Sequence, residues 1–196
     1  MKVNKYYDKL IDDNNDPYYD STHLKEYMDK WDGKVFIDSL KLNDKLSVLE
    51  IGIGTGRLAC KVAPKCLKLT GIDISLKTIN KAALNLSRFK NIELICSNFI
   101  TYTFNNKFDV IYSSLTFMHF KDKEEVINKI SNLLVDGGLL CLSIDKNQEN
   151  YILYGDIKIE IYPDNLDNII NLLKNNSMKI DKILETEFAY IVVSIK

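Results

Sequence analysis

The sequence predicts an α/β fold, a mostly parallel sheet covered by helices on both faces, and three observations carry that prediction. Between residues 46 and 145 short apolar runs alternate with amphipathic stretches of helical length, the pattern of right-handed strand–helix–strand crossovers. The first of those runs leads straight into three glycines at alternate positions, Gly52, Gly54 and Gly56, followed by a helical pattern. The chain then ends in two apolar runs, 179–186 and 189–195, joined by a link too short for a crossover, so that pair is antiparallel and the sheet is mixed at one edge.

Residues 1–45 read as helical. Tyr6, Tyr7, Leu10 and Ile11 recur at helix spacing, and Leu24, Tyr27, Met28 and Trp31 do so after a Ser21/Thr22 start. Asn14, Asn15, Asp16 and Pro17 separate the two helices, and Gly33 precedes a third short pattern of Val35, Phe36 and Leu40. Ser47–Ile51 is the first strand, Arg57 to Val62 a helix stopped by Pro64, and Leu67–Ile72 the second strand. Ser75 caps a helix carrying Leu76, Ile79, Ala83 and Leu86. Two strands follow, Ile92–Cys96 and Phe108–Tyr112. Asp122, with Glu125 three residues on, opens a helix through Leu133 as a capping box would, and Gly137-Gly138 ends it before the strand Leu139–Ile144. Ile157, Ile159 and Ile161 alternate with polar neighbours as a half-exposed strand does, and a helix runs from Asp164 to about Lys174.

Composition narrows the function classes. A chain of 196 residues with three prolines and eight glycines is one domain by default, with no room for a long linker or a separate substrate domain. Lys and Arg total 26 against 27 for Asp and Glu, a net charge of −1, so a domain-wide basic footprint for nucleic acid or an anionic membrane is absent. The arginines are Arg57 and Arg88 alone, which also counts against bidentate reading of phosphates and bases. Met1–Asp8 has no apolar core of a signal peptide, and no window reaches the roughly 18 apolar residues of a membrane span. Cys60, Cys66, Cys96 and Cys141 lie far apart, without metal-ligand spacing to His23 or His119. The expectation is a cytoplasmic protein with reduced thiols, no metal, and neither a membrane nor a nucleic-acid partner; the oligomeric state is not readable.

The glycine segment Val48–Ala59 carries the chemistry. Glycines suit a sharp strand-to-helix bend that a ligand approaches with no Cβ in the way, and the helix start beyond it offers unpaired N–H donors. Twenty-one residues past Gly52, at the end of the second strand, Asp73 can accept both hydroxyls of a ribose. A dinucleotide fingerprint would place its third glycine at position 57, which is Arg57, so an NAD-dependent oxidoreductase ranks third among the readings. Glu50, Gly52, Gly54 and Gly56 resemble instead motif I of the class I S-adenosylmethionine-dependent methyltransferases, an acid, one apolar residue, then G-x-G-x-G. Gly71–Ser75 looks like the second motif of that family, Cys96–Phe99 the third-strand turn, with Asn98 where the family usually has Asp, and Phe108–Ser114 and Leu134–Gly138 the fourth- and fifth-strand motifs.

That resemblance implies a Rossmann-like, seven-stranded mixed sheet with the last strand antiparallel, organised as a helical N-terminal lid or extension (1–45), a cofactor-binding core (46–145) and a segment of insertion strand, helix and antiparallel strands (146–196). It implies S-adenosyl-L-methionine as cofactor and S-adenosyl-L-homocysteine as product. Glu50 and the glycine loop would hold the methionine half, main chain near Ser113 the ammonium, Asp73 the ribose, and Ile74, Asn98 and Phe99 the adenine. The acceptor would lie past the fourth strand near Ser114, Phe117 and His119, with Tyr7 and Tyr19 contributed by the N-terminal helices. His119 is the residue there that titrates near neutral pH, a candidate general base or polar contact; a capping or surface histidine is the plain alternative. No N-P-P-aromatic motif follows the fourth strand and no Pro-Cys pair exists, which favours a small-molecule acceptor by elimination. A protein or RNA acceptor, or a non-catalytic cofactor-binding module, remains as the alternative.

Overall fold

In the computed structural model, which describes residues 2–196, two half-cores are packed on opposite faces of one twisted sheet. Seven strands form it: β1 (Ser47–Ile51), β2 (Lys68–Asp73), β3 (Ile92–Cys96), β4 (Phe108–Ser114), β5 (Leu134–Asp145), β8 (Lys179–Glu185) and β9 (Ala189–Ile195). Their order is β3-β2-β1-β4-β5-β9-β8. Pairs from β3 to β5 are parallel, and β9 is antiparallel to both β5 and β8. The antiparallel strand therefore sits one place in from the edge, as the short link between the last two strands requires.

Side-chain alternation divides the core. Val48, Leu69, Val110 and Tyr112 face α3 (Gly33–Ser39), α4 (Ala59–Val62) and α5 (Leu76–Asn85), while Leu49, Ile51, Ile111 and Leu140 face α6 (Lys123–Leu133) and α7 (Leu166–Asn175). The expected caps are present: the Thr78 amide donates to Ser75 Oγ at 3.1 Å, and the Glu125 amide to Asp122 Oδ1 at 2.9 Å. The N-terminal helices are α1 (Val3–Asp12) and α2 (Thr22–Met28). α1 is seated on the start of α5, where Asp8 Oδ1 accepts from Ser75 Oγ at 2.8 Å and Lys77 pairs with Asp12.

Several elements differ from the sequence expectation. The helix expected from Arg57 is one turn, Ala59–Val62, continued by a 3₁₀ turn, Ala63–Lys65, because Gly56 is still in the left-handed region (φ 96°) and Pro64 follows. Trp31 lies beyond the end of α2 and stacks on Phe188, ring centroids 4.6 Å apart. Gly137-Gly138 does not separate helix from strand. β5 begins at Leu134, and the register steps from Phe108↔Leu134 to Val110↔Leu139, so the glycines are in a bulge inside the strand. The half-exposed strand expected at 157–161 is one arm of a hairpin, β6 (Tyr151–Tyr154) with β7 (Ile157–Glu160), turned at Gly155 (φ 56°). Its Ile159, with Ile161, Tyr6 of α1 and Met118, makes a third small core outside the main sheet.

One buried ion pair joins the N-terminal helices to the sheet. Asp32, wholly buried, takes both ends of Arg57 (Nη1–Oδ1 3.0 Å, Nη2–Oδ2 2.5 Å) and accepts from Ser114 Oγ at 2.7 Å. Loss of one partner strands the other's charge, which costs about 3–5 kcal/mol, whereas replacing both with apolar groups costs far less. Asp32→Ala should accordingly lower the unfolding free energy measured in urea by about 3 kcal/mol or more, and Asp32→Leu with Arg57→Met should recover most of that loss.

Candidate active site

The C-terminal ends of β1, β2 and β4 open into a cleft of about 700 Å³ at the point where the strand order reverses, between β1 and β4. Its floor is the glycine loop. The Gly52 and Ile53 amides both donate to the Ile72 carbonyl, at 2.8 and 3.1 Å, which bends the chain back over β2. The three loop glycines do different work. A Cβ on Gly52 would stand 2.0 Å from Thr116 Oγ1, and one on Gly56 would stand 2.8 Å from Leu86 Cδ1, so both give their space to the protein's own side chains. A Cβ on Gly54 would meet nothing within 4 Å: that space is the cleft itself, and φ of 57° makes glycine the low-cost residue there.

Two carboxylates flank the loop. Asp73 Oδ2 accepts from the Gly54 amide and Oδ1 from the Ser75 amide, both at 3.0 Å. Burial raises its pKa above the usual carboxylate range, against the pull of the amides of Ser75, Gly54 and Ile74. Glu50 is buried beneath the loop and accepts from Tyr112 Oη at 2.6 Å. Desolvation pushes it up to about 8, opposed by the Tyr112 hydrogen bond and the Arg57 charge and reinforced by Asp32 and Asp73. The one guanidinium nearby is already committed to Asp32, so the floor carries more acid than base.

The opposite wall comes from the chain after β4. Leu115 turns sharply there, a non-glycine residue with φ of 53°, and the 3₁₀ turn Phe117–His119 follows. His119 Nε2 lies 2.7 Å from Tyr7 Oη of α1, the rings edge-on with centroids 5.5 Å apart. Burial, with Lys123 adding to it, depresses His119 to about 4; burial, with Asp73 and Tyr6, raises the Tyr7 phenol. Both groups are therefore neutral at physiological pH. His119 Nδ1 is buried with no partner.

Of the residues expected at a site, Glu50, Gly52, Gly54, Asp73, Ile74, Asn98, Phe99, Ser114, His119 and Tyr7 line this cleft. Asn98 Oδ1 accepts from the Ile100 amide at 2.8 Å, which leaves one lone pair for a ligand. Four expected residues lie elsewhere. Gly56 packs under Leu86, and Ser113 Oγ is turned into the sheet to donate to the Ile51 carbonyl at 2.9 Å. Phe117 is a core residue at 2% exposure, packed with Phe120. Tyr19, at 70% exposure, meets Tyr18 edge-on outside the cleft, because Pro17 and the turn after it direct it to solvent. Thr116 and Phe120, expected past the fourth strand, and Glu160 and Tyr162, from the segment 151–162 expected to shape the acceptor pocket, also line the cleft, whereas Arg57 does so without a sequence signal for it. Among the described residues no group of three or more His, Cys, Asp and Glu side chains could hold a metal ion, and no helix is long and apolar enough to cross a membrane.

A family model described as a methyltransferase domain matches residues 49–142, from β1 through most of β5. An uncharacterized methyltransferase of Staphylococcus carnosus is 29% identical, over 89% of this chain and 92% of the relative. A malonyl-[acyl-carrier protein] O-methyltransferase of Priestia megaterium is 31% identical over 59% of this chain, which spans only 44% of that longer protein. Among solved structures, the N-methyltransferase NodS of Bradyrhizobium japonicum, in complex with S-adenosyl-L-homocysteine, superposes with a TM-score of 0.78 at 18% identity, over 100% of this chain and 99% of that one. Sheet order, glycine loop and matched domain together define a Rossmann-like methyltransferase. Residues 49–142 are thus a methyltransferase domain, and together with the relatives and the fold they support a class I S-adenosylmethionine-dependent methyltransferase.

The raised Glu50 sets a pH dependence whose sign is fixed. Between its ordinary 4.5 and about 8 the folded protein holds a proton that the unfolded chain has released, so this group's contribution to stability falls as pH rises through that window. Glu50→Gln should remove the penalty. The variant's thermal midpoint should exceed wild type at pH 8.5 and lose that advantage at pH 5, a swing on the order of 2 kcal/mol across the pair of scans.

Proposed function

We propose that this chain binds S-adenosylmethionine along the glycine loop and transfers its methyl group to a small molecule held at the His119 end of the same cleft. The observation that carries the reading is the continuity of one cavity of about 700 Å³ from Asp73 and Gly54 to Tyr7 and His119. A drug-sized cofactor fills roughly half of such a space, which leaves room for a compact acceptor and not for a folded one. We read residues 1–45 as the extension that covers the site, 46–145 as the cofactor core and 146–196 as the part that supplies the hairpin. Two buried thiols, Cys66 and Cys141, suit a reducing compartment such as the cytoplasm.

The residues present fit the cofactor. The Gly54 position leaves the space a ligand needs. Asp73 keeps acceptor capacity toward a ribose while its amide contacts fix its orientation, and Ile74 and Phe99 offer apolar surface beside Asn98 for a purine. Glu50 has no directly paired cation; burial favours its proton, which the ammonium of the methionine end would displace, and main chain at Ser114 lines the same cleft. When bound, the sulfonium supplies a methyl group already activated for in-line displacement.

The chain's own contribution is then positioning and the exclusion of water. Tyr7 and His119, mutually hydrogen-bonded on the same wall, offer a neutral donor–acceptor pair that can orient the acceptor's lone pair and take part in proton removal where the acceptor must lose one. Because burial holds His119 near 4, it does not become charged on mild acidification.

Titration calorimetry with S-adenosylmethionine and S-adenosylhomocysteine tests the first half. Both should bind well below about millimolar, and Gly54→Ala should weaken both by about tenfold or more, since its Cβ enters the cleft and displaces no protein atom; the left-handed backbone there adds a strain of about 1–2 kcal/mol, which a urea midpoint measures separately. Absence of binding to the wild type would sink the proposal. For the second half, turnover is followed by homocysteine-product release over a panel of compact amines, phosphoamines, carboxylates and malonyl thioesters. With the acceptor that responds, His119→Ala and Tyr7→Phe should each lower kcat by about 10²-fold while leaving cofactor affinity within about twofold. The wild-type pH profile should show no acid limb near 6.5, because His119 stays neutral down to about pH 5. A limb at 6.5 that vanishes in His119→Ala would show that the imidazole is exposed in the working enzyme.

A further inference from the structure

Behind the His119 wall lies a lysine that neither the cofactor nor the acceptor reading uses. Lys123, the first residue of α6, turns its side chain inward, with 10% exposure. Its Nζ donates to the Phe117 carbonyl at 2.6 Å and the Tyr162 carbonyl at 3.0 Å, and stands 2.6 Å from Asp164 Oδ1, whose side chain is 2% exposed. Two ammonium protons thus go to carbonyls, and the carboxylate is held beside them as an ion-pair partner. The partners come from two separate stretches of chain: Phe117 begins the 3₁₀ turn that carries His119, whereas Tyr162 and Asp164 follow β7 and carry the chain from the hairpin to α7. The two stretches also touch directly, through the Tyr162 amide donating to the Met118 carbonyl at 2.8 Å. An apolar pair could fill the same volume, but it would leave the two carbonyls without the donor that joins them.

We propose that Lys123, backed by Asp164, is a positioning residue that joins the His119 turn to the Glu160–Tyr162 segment and so fixes the width of the acceptor end of the cleft. This rests on reading that end as the acceptor side. Lys123 also sets the charge environment of the imidazole. The groups that face His119 are Tyr7 from α1, Lys123 from α6 with Asp164 behind it, and Glu160, Tyr162 and Lys121 at the mouth. Among them Lys123 is the charge that adds to burial in disfavouring the imidazolium. The lysine thus holds the wall in place and adds to the burial that keeps its histidine neutral.

The test compares wild type with Lys123→Met and with Lys123→Met/Asp164→Leu, the second of which removes the whole buried pair and remains folded if the first does not. Three readouts are taken on the full chain: titration of the two histidine side chains by heteronuclear NMR, amide hydrogen exchange, and calorimetry with S-adenosylmethionine. The expected result is a His119 midpoint moved to higher pH, exchange of the Tyr162 amide faster by about tenfold or more, and unchanged protection of the Gly52 and Ile53 amides with cofactor affinity within about twofold. Unmoved His119 and Tyr162 in both variants would overturn the proposal. So would an acceleration that spreads equally to Gly52 and Ile53, because that marks a residue of general stability and not of the acceptor wall. If wild type fails to bind S-adenosylmethionine, the proposed function falls, while the histidine titration and the exchange pattern still decide the role of Lys123.

Discussion

The rest of the structure depends on a backbone reversal at the end of β1, where two successive amides, Gly52 and Ile53, share the Ile72 carbonyl. A chain that turns this tightly above a parallel sheet has no volume to spare. Thr116 fills the place of a Gly52 Cβ and Leu86 that of a Gly56 Cβ, so the loop is locked to the β4 turn on one side and to α5 on the other. Only at Gly54 is the missing side chain replaced by open space. The glycine triplet is thus two packing requirements around one binding requirement, and the cleft inherits its shape from all three.

Electrostatics follow from what that reversal brings together. Glu50 and Asp73 end adjacent strands and are drawn under the loop, where burial raises both. Arg57, the first residue after the glycines, is taken by Asp32 and so ties the N-terminal helices to the loop without neutralising the two acids. Across the cleft the charges are held differently: Lys123 is matched by Asp164 and by two carbonyls, and the facing Tyr7–His119 pair is neutral. One end is suited to a cationic ligand and the other to a compact neutral or polar group.

Local signals in the sequence reached the cofactor side better than the acceptor side. Strand alternation, the Ser75 and Asp122 caps and the glycine spacing are short-range features, and each appears within a residue or two of its expected place. Asp73 was legible because a βαβ unit sets the distance between its two strand ends. Tyr7 and His119 are 112 residues apart and meet through the docking of α1, which no periodicity reports; Tyr19 looked equivalent to Tyr7 by composition and faces solvent. The hairpin escaped notice because β6 and β7 bury their apolar sides against α1 and Met118, not against the sheet, so their pattern looked like a single edge strand.

By itself, then, the sequence determined the parallel core, the antiparallel finish and the loop that makes a cofactor site, because these depend on spacing within one strand–turn–helix unit or between neighbouring units. Tertiary structure decided which glycine faces the ligand, which aromatic of the N-terminal helices enters the cleft, and that a buried lysine holds its far wall. Those outcomes are set by which side chains compete for the same few cubic ångströms once distant segments are packed together, and that competition has no local signature in the chain.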